Sequence, residues 1–109
     1  MVSTQSELYT NQLVLSGTVC KPPKYSQSPA GIAHCIFVLE HKSMQVEADL
    51  NRNSYVRIQV VASGQQFRTQ LEHLYVGQTI QVRGFLNRHE SRSGLSQLVL
   101  HAQHIERIN

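Results

Sequence analysis

The sequence predicts an all-β domain: a five-stranded Greek-key barrel with one short helix between its third and fourth strands. Three observations lead there. Short runs rich in Val, Ile and Leu recur along the chain, and one of them, SYVRIQVVA, alternates cleanly between polar and apolar residues. A single segment, GQQFRTQLEHLYVG, carries helical spacing. Between the runs stand clusters of Pro, Gly, Ser and Asn, the residues that turns select.

The totals bound what such a domain can be. At 109 residues the chain holds one core and has no room for a second. No apolar run approaches the ~20 residues that a membrane-spanning helix needs. The N-terminus MVSTQSELYT has neither a basic start nor an apolar stretch, which predicts a cytoplasmic protein without a signal peptide. Cys20 and Cys35 are then expected to be reduced. Each is flanked by apolar residues and their spacing fits no zinc or redox pattern, so they read as small buried hydrophobes. The net charge of +3 is a mild bias toward anionic partners, and placement matters more than the sum.

Each element follows in order. Residues 1–10 are polar and aperiodic and are expected to form a flexible tail, with the domain occupying 11–109. NQLVLSGTVC is the first strand, expected to bend or bulge at Gly17. KPPKYSQSPAG, with three prolines, is expected to be a loop that carries Lys21 and Lys24. IAHCIFVLEH is the second strand, and the polar stretch KSMQVEADLNRN links it to the third, SYVRIQVVA. On that strand Val56, Ile58 and Val60 face the core, while Tyr55, Arg57 and Gln59 face outward. An outward ring beside a guanidinium suits base stacking and phosphate neutralisation. Phe67, Leu71 and Leu74 give the helix one apolar face, expected to plug an end of the sheet. QTIQVRGFLNRH and LSQLVLHAQHIERI are the fourth and fifth strands, joined by a flexible basic loop that holds Arg88, Arg92 and Gly94.

Five strands with a helix between the third and fourth is the order of the oligonucleotide-binding barrel, the OB-fold. The words go further than the order. NQLVLSGTVCKPP, SPAGIAHCIFVLEHKS and VGQTIQVRGFLNRHESRSGLSQLVLHAQHIE resemble the primosomal replication protein N family, small bacterial relatives of the single-stranded DNA-binding protein, over nearly all of residues 11–106. The resemblance implies a homodimer of OB barrels that binds single-stranded DNA without sequence preference and has no catalytic activity. It also implies an adaptor role in replication restart, bridging the primosomal helicase to the helicase-loading protein, with single-stranded DNA-binding protein as a further partner. Two features depart from the family pattern. One is the ten-residue tail. The other is the loop of the fourth and fifth strands, where relatives carry several lysines and this chain has Arg88 and Arg92 interrupted by Glu90, with Gln97 beyond.

The binding candidates are Lys21 and Lys24 in loop one-two, Arg52, Tyr55 and Arg57 in or beside strand three, and Arg88 and Arg92 in loop four-five, with Lys42 after strand two. Taken singly, each is by default a solvated surface residue, and Tyr55 could be ordinary barrel packing. Their concentration on the elements with which this barrel type binds strands favours the functional reading. The histidines offer no metal motif: His101 and His104, three apart on a strand, face opposite sides, and no HxH or HExxH occurs. Acidic residues are scattered, so a magnesium-dependent nuclease lacks its carboxylate cluster. Neither an enzyme nor a cofactor is expected. Two other readings keep the fold: a protein–protein adaptor whose basic loops dock on acidic surfaces, and an RNA-binding barrel. Salt-dependent affinity for DNA against RNA separates the three.

Overall fold

The structure, a computed structural model, describes residues 9–108. The expected tail therefore lies almost wholly outside the described residues. Six strands and one helix follow in order: β1 (Leu13–Val19), β2 (Lys24–Gln27), β3 (Ala33–Glu47), β4 (Leu50–Ser63), α1 (Gln65–Gln70), β5 (Thr79–Glu90) and β6 (Ser96–Arg107). The sheet order is β1-β5-β6-β4-β3-β2, and β1 also pairs with β3. That extra pairing closes β1, β3, β4, β5 and β6 into the expected five-stranded barrel, and leaves β2 as an addition on its edge. All pairings are antiparallel except β4 with β6, the parallel contact that a Greek-key connection creates.

Alternation builds the core. Cys35, Phe37 and Leu39 of β3 meet Ile58, Val60 and Ala62 of β4 inside the barrel, with Ile80 and Val82 of β5 and Leu100 and Ile105 of β6. Phe67, Leu71 and Leu74 enter the same core, as the spacing predicts. The helix itself is shorter than expected. It ends at Gln70, and Leu71 and Leu74 are placed by the turn that follows, where the Leu74 amide donates to the Leu71 carbonyl. No transmembrane-length apolar helix occurs among the described residues. Cys20 and Cys35 are free thiols, and burial pushes the Cys35 thiol up to about 11, consistent with a small core hydrophobe.

Two glycines fix how tightly the barrel is wound. A Cβ on Gly17 would lie 2.4 Å from the Glu40 carbonyl oxygen, where β1 crosses β3. The position serves close approach rather than a bulge, because β1 stays in unbroken register with β5 there. The irregularity falls instead at Arg83/Gly84, where a Cβ on Gly84 would lie 1.9 Å from the His101 carbonyl oxygen.

Three linkers differ from expectation. Lys24 is not on a loop: between the prolines, KYSQ forms β2, which satisfies only one side of its backbone and so tolerates proline at both approaches. Tyr25 ties it down, its hydroxyl donating to the Leu71 carbonyl at 2.6 Å. The polar stretch 42–53 is not a linker but the outer half of a long β3–β4 hairpin, so Lys42 lies within β3. Its turn is Ala48–Asp49 with φ of 53° and 60°, the left-handed pair of a tight two-residue hairpin. Arg88 is likewise not in a loop. It sits in β5 opposite Leu98, and only residues 91–95 form the turn.

Candidate nucleic-acid interface

Register decides which candidate side chains meet. Glu40 of β3 stands opposite Arg57 of β4, and Lys42 opposite Tyr55. Because Phe37 and Leu39 point into the core, Glu40 and Lys42 point away from it, and the four side chains share the outward face. Tyr55 is 56% exposed. Its hydroxyl donates to Glu40 Oε2 at 2.9 Å, and Arg57 Nε donates to the same oxygen at 3.0 Å. Lys42 Nζ lies 3.7 Å from Glu40 Oε1 and 5.6 Å from the centre of the Tyr55 ring. The result is an exposed aromatic ring held between an ammonium and a guanidinium by one shared carboxylate.

Electrostatics follow from that arrangement. The hydrogen bonds from Tyr55 and then Arg57 hold the Glu40 carboxyl below its ordinary range, despite some desolvation in the other direction. The same bond from Glu40 raises the Arg57 guanidinium still further above neutrality. Glu40 was not among the candidates read from the sequence. Its role depends on standing opposite Arg57, and the signal that could have found it was the outward parity of Glu40 on a strand whose odd positions are apolar.

The remaining candidates divide. Lys24 pairs with Ile36, on the same outward face as Glu40 and Lys42. From Ile36 to Lys42 is a strand length of roughly 20 Å, along which Lys24, Arg57 and Lys42 form a broken line of positive charge. Lys21 is exposed just before β2. Arg52 does not join Tyr55 and Arg57. Its offsets from them, three and five positions, are odd, so it lies on the opposite face of the hairpin, where its Nε is 3.4 Å from Glu47 Oε1. The tip also exposes Met44, Val46 and Leu50, apolar side chains that the polar reading of this stretch missed.

At the other end of the sheet, β5 and β6 run out as a ribbon closed by a compact turn. The Gly94 amide donates to the Ser91 carbonyl and the Ser91 amide to the Leu95 carbonyl, both at 2.9 Å, with Gly94 at φ 82°. The segment expected as a loop is thus a turn closed by its own hydrogen bonds. Arg92 is presented at its tip, and no hydrogen-bonding or ionic partner reaches it among the described residues. Arg88 Nη2 lies 3.5 Å from Glu90 Oε1, so Glu90 partly neutralises the neighbouring arginine. Between hairpin and ribbon, Gln97 Nε2 donates to Gln59 Oε1 at 3.0 Å and continues the outward face from β4 to β6.

Among the described residues no group of three or more His, Cys, Asp or Glu side chains could hold a metal ion. The opposite faces expected from their spacing are not found: the bulge at Arg83/Gly84 sets His101 opposite Phe85 and His104 opposite Arg83, two apart on β5, so both point outward, but to different partners. His101 stacks on Phe85, and His104 reaches Glu106 Oε1 at 3.0 Å. A groove of about 400 Å³ lined by Tyr25, His34, Cys35, Arg68 and Glu72 contains none of the binding candidates. A smaller cleft, between Ser16, Gly17 and Thr18 of β1 and Glu40, His41 and Lys42 of β3, opens beside the Glu40 cluster.

Comparison with known proteins agrees with this geometry. Residues 11–104 match the profile described as "another single-strand binding protein family". The replication restart protein PriB of Photorhabdus laumondii is 53% identical over 100 residues, covering 92% of this chain and 95% of that protein. The PriB of Yersinia pseudotuberculosis is 51% identical over the same share of each chain. Among solved structures, PriB from Ralstonia solanacearum superposes with a TM-score of 0.77 at 22% identity, covering 93% of this chain and all of that one. The single-stranded DNA-binding protein of Plasmodium falciparum, solved in complex with single-stranded DNA, gives 0.76 at 14% identity, with coverages of 93% and 96%. At such identities these two structures speak to the fold.

Proposed function

The chain belongs to the single-strand binding protein family, beside the replication restart proteins PriB, and from that premise we propose that it is a non-catalytic adaptor of replication restart that binds single-stranded DNA without sequence preference. The observation that carries the reading is the Tyr55 ring, exposed between Lys42 and Arg57 on the outward face of β3 and β4. A base stacks on such a ring whatever its identity, while the flanking cations follow the phosphates. Lys21, Lys24 and Arg92 extend the positive path on either side, and Arg88 joins it when DNA competes with Glu90. Sequence is not read, because a stacking ring and phosphate contacts carry no base code.

The test is a salt titration of a labelled dT oligomer and its RNA counterpart. Binding whose affinity falls with salt, and which is at least as tight to DNA as to RNA, supports the proposal. A chain that prefers RNA, or that shows no salt-dependent affinity for either, rejects it.

The adaptor role needs protein surfaces as well. β1 is hydrogen-bonded to β5 on one side, but on the other it pairs with β3 only at Thr18 and Val19, and with His41 Nδ1 lying 2.6 Å from the Ser16 carbonyl oxygen the edge of residues 13–15 is left open. An open edge is a template for another strand, and we assign it to a second copy of the chain in a homodimer. Sedimentation at tens of micromolar that gives a single-chain mass would reject that assignment. The exposed apolar tip of the β3–β4 hairpin, with Met44, Val46 and Leu50, is the surface we assign to primosome partners, the helicase and the helicase-loading protein. Polar substitutions there are expected to weaken capture of those partners and leave dT binding intact.

A further inference from the structure

The outward face of the β5–β6 ribbon carries a pair of side chains that the DNA-binding reading leaves unused. His89 Nε2 lies 2.9 Å from His101 Nε2, with ring centres 5.0 Å apart and planes inclined at 43°. Strand pairing alone does not bring them together. His89 stands opposite Gln97 and His101 opposite Phe85, so the two are offset along the ribbon by about 13 Å of strand. Each ring leans toward the other across Val99, which lies midway between Gln97 and His101. Val99 is 1% exposed although it points away from the barrel core, where its neighbour Leu100 is lodged.

A further contact confines one ring of the pair to its plane. The Phe85 ring stacks on His101 at 5.0 Å with planes only 6° apart, which limits the orientations open to that imidazole. Burial, and then the proximity of His89, hold His101 below the ordinary histidine pKa. The remaining histidines are engaged elsewhere: His41 with Ser16 and Ser43, His34 with Ser63, His73 with Glu72 and His104 with Glu106.

We propose that His89 and His101 together bind a divalent transition-metal ion, of the copper(II) or nickel(II) class, that bridges β5 and β6. Metal–imidazole bonds are about 2.0–2.1 Å long, so nitrogens kept 2.9 Å apart subtend an angle of roughly 90° at a shared ion once each ring swings its Nε2, now aimed at its partner, toward that ion. That is the angle between adjacent ligands of a tetragonal site, the geometry of copper(II) and nickel(II), whereas zinc prefers the wider tetrahedral angle. Neutral imidazoles in the pair share one Nε2 proton. On binding, the donor ring carries that proton on Nδ1 instead, both Nε2 lone pairs turn to the metal, and no proton leaves the pair. Water completes the coordination. The bound ion fastens together the two strands that bear the Arg92 turn and adds positive charge beside Arg88. Its effect on DNA rests on the single-stranded DNA reading above; its binding does not.

The test is calorimetric titration of the untagged full chain with nickel chloride and, separately, zinc chloride, in a buffer that does not chelate. The expected result is one nickel ion per chain, held more tightly than zinc, with nickel raising the melting temperature. His89→Gln and His101→Ala should abolish both effects, while His104→Ala and His73→Ala should keep them. His89 is exposed, so His89→Gln should fold even if removal of the ring stacked on Phe85 does not, and it decides the matter alone. No nickel uptake by the wild type, or equal uptake by His89→Gln, overturns the proposal. If nickel binds and is lost in His89→Gln, yet neither form binds a dT oligomer, the metal site stands and the DNA reading falls.

Discussion

On the β3–β4 wall the cations beside Tyr55 converge on one carboxylate, whereas Arg92, at the tip of the β5–β6 ribbon, has no partner among the described residues. Arg88 lies between these extremes, half-neutralised by Glu90. The two regions therefore contribute differently to holding a nucleic acid strand. The wall is preorganised: Glu40 fixes the ring and the guanidinium before a ligand arrives, and surrenders positive charge to do so. The turn gives a free charge on a hydrogen-bonded tip, with all of its counterions still to release. Orientation and stacking should come from the wall, and salt dependence from the ribbon.

The largest effect is expected at the wall. Tyr55→Ala should weaken dT binding by about 1–3 kcal/mol with little change in salt slope, while Tyr55→Phe stays near wild type. Fluorescence anisotropy of a labelled oligomer reads both, and equal affinity for all three chains would remove the ring from the binding path. Next comes the ribbon. Arg88→Ala/Arg92→Ala should flatten the plot of log affinity against log salt by about 1.4 units and cost roughly tenfold near physiological salt, similarly for every base composition. An unchanged slope would mean that the turn does not touch DNA, and the adaptor reading would gain.

Reversing a charge on the ribbon should act in the other direction. Glu90→Lys frees Arg88 and adds a cation, steepening the slope by about 0.7 per new phosphate contact and tightening binding about fourfold. The smallest effect sharpens the comparison most. Glu40→Gln should tighten binding only about twofold, because it releases Lys42 and Arg57 from neutralisation while loosening the ring that they flank. Its clearer signature is in acid. A carboxylate with a lowered folded pKa stabilises the fold above its ordinary value of 4.5, and that contribution disappears as pH falls through the lowered value. Melting curves taken from neutral to acid pH should therefore descend less steeply in Glu40→Gln than in wild type. Parallel curves would show that the Glu40 cluster does not contribute to stability.

How much of this was legible in the sequence depends on the range of the interaction concerned. Val56, Ile58 and Val60 announce their face because alternation is local, and Phe67, Leu71 and Leu74 announce theirs in the same way. Lys24 was misplaced because prolines flank KYSQ, and an edge strand tolerates them where a central one would not. Residues 42–53 read as a linker because both arms of a hairpin beyond the barrel are exposed, so even Met44, Val46 and Leu50 leave no burial pattern there. Arg52 shows the reverse: its parity against Tyr55 already separated the two. Glu40 and the His89–His101 pair were out of reach. Each is set by which residue stands across the sheet, and composition carries no trace of register.

The barrel is closed between β1 and β3 at Thr18↔Glu40 and Val19↔Leu39, whereas β3 and β4 are laced together from His34↔Ser63 to Glu47↔Leu50. A cylinder joined along so short a line parts there first. In amide hydrogen exchange, the β1 protons that point away from β5 should be lost early, by an opening that leaves the β3–β4 ladder protected. Should a second chain lie against the same edge, their exchange would slow as protein concentration rises, so one set of β1 amides would record both the breathing of the single barrel and its pairing with another.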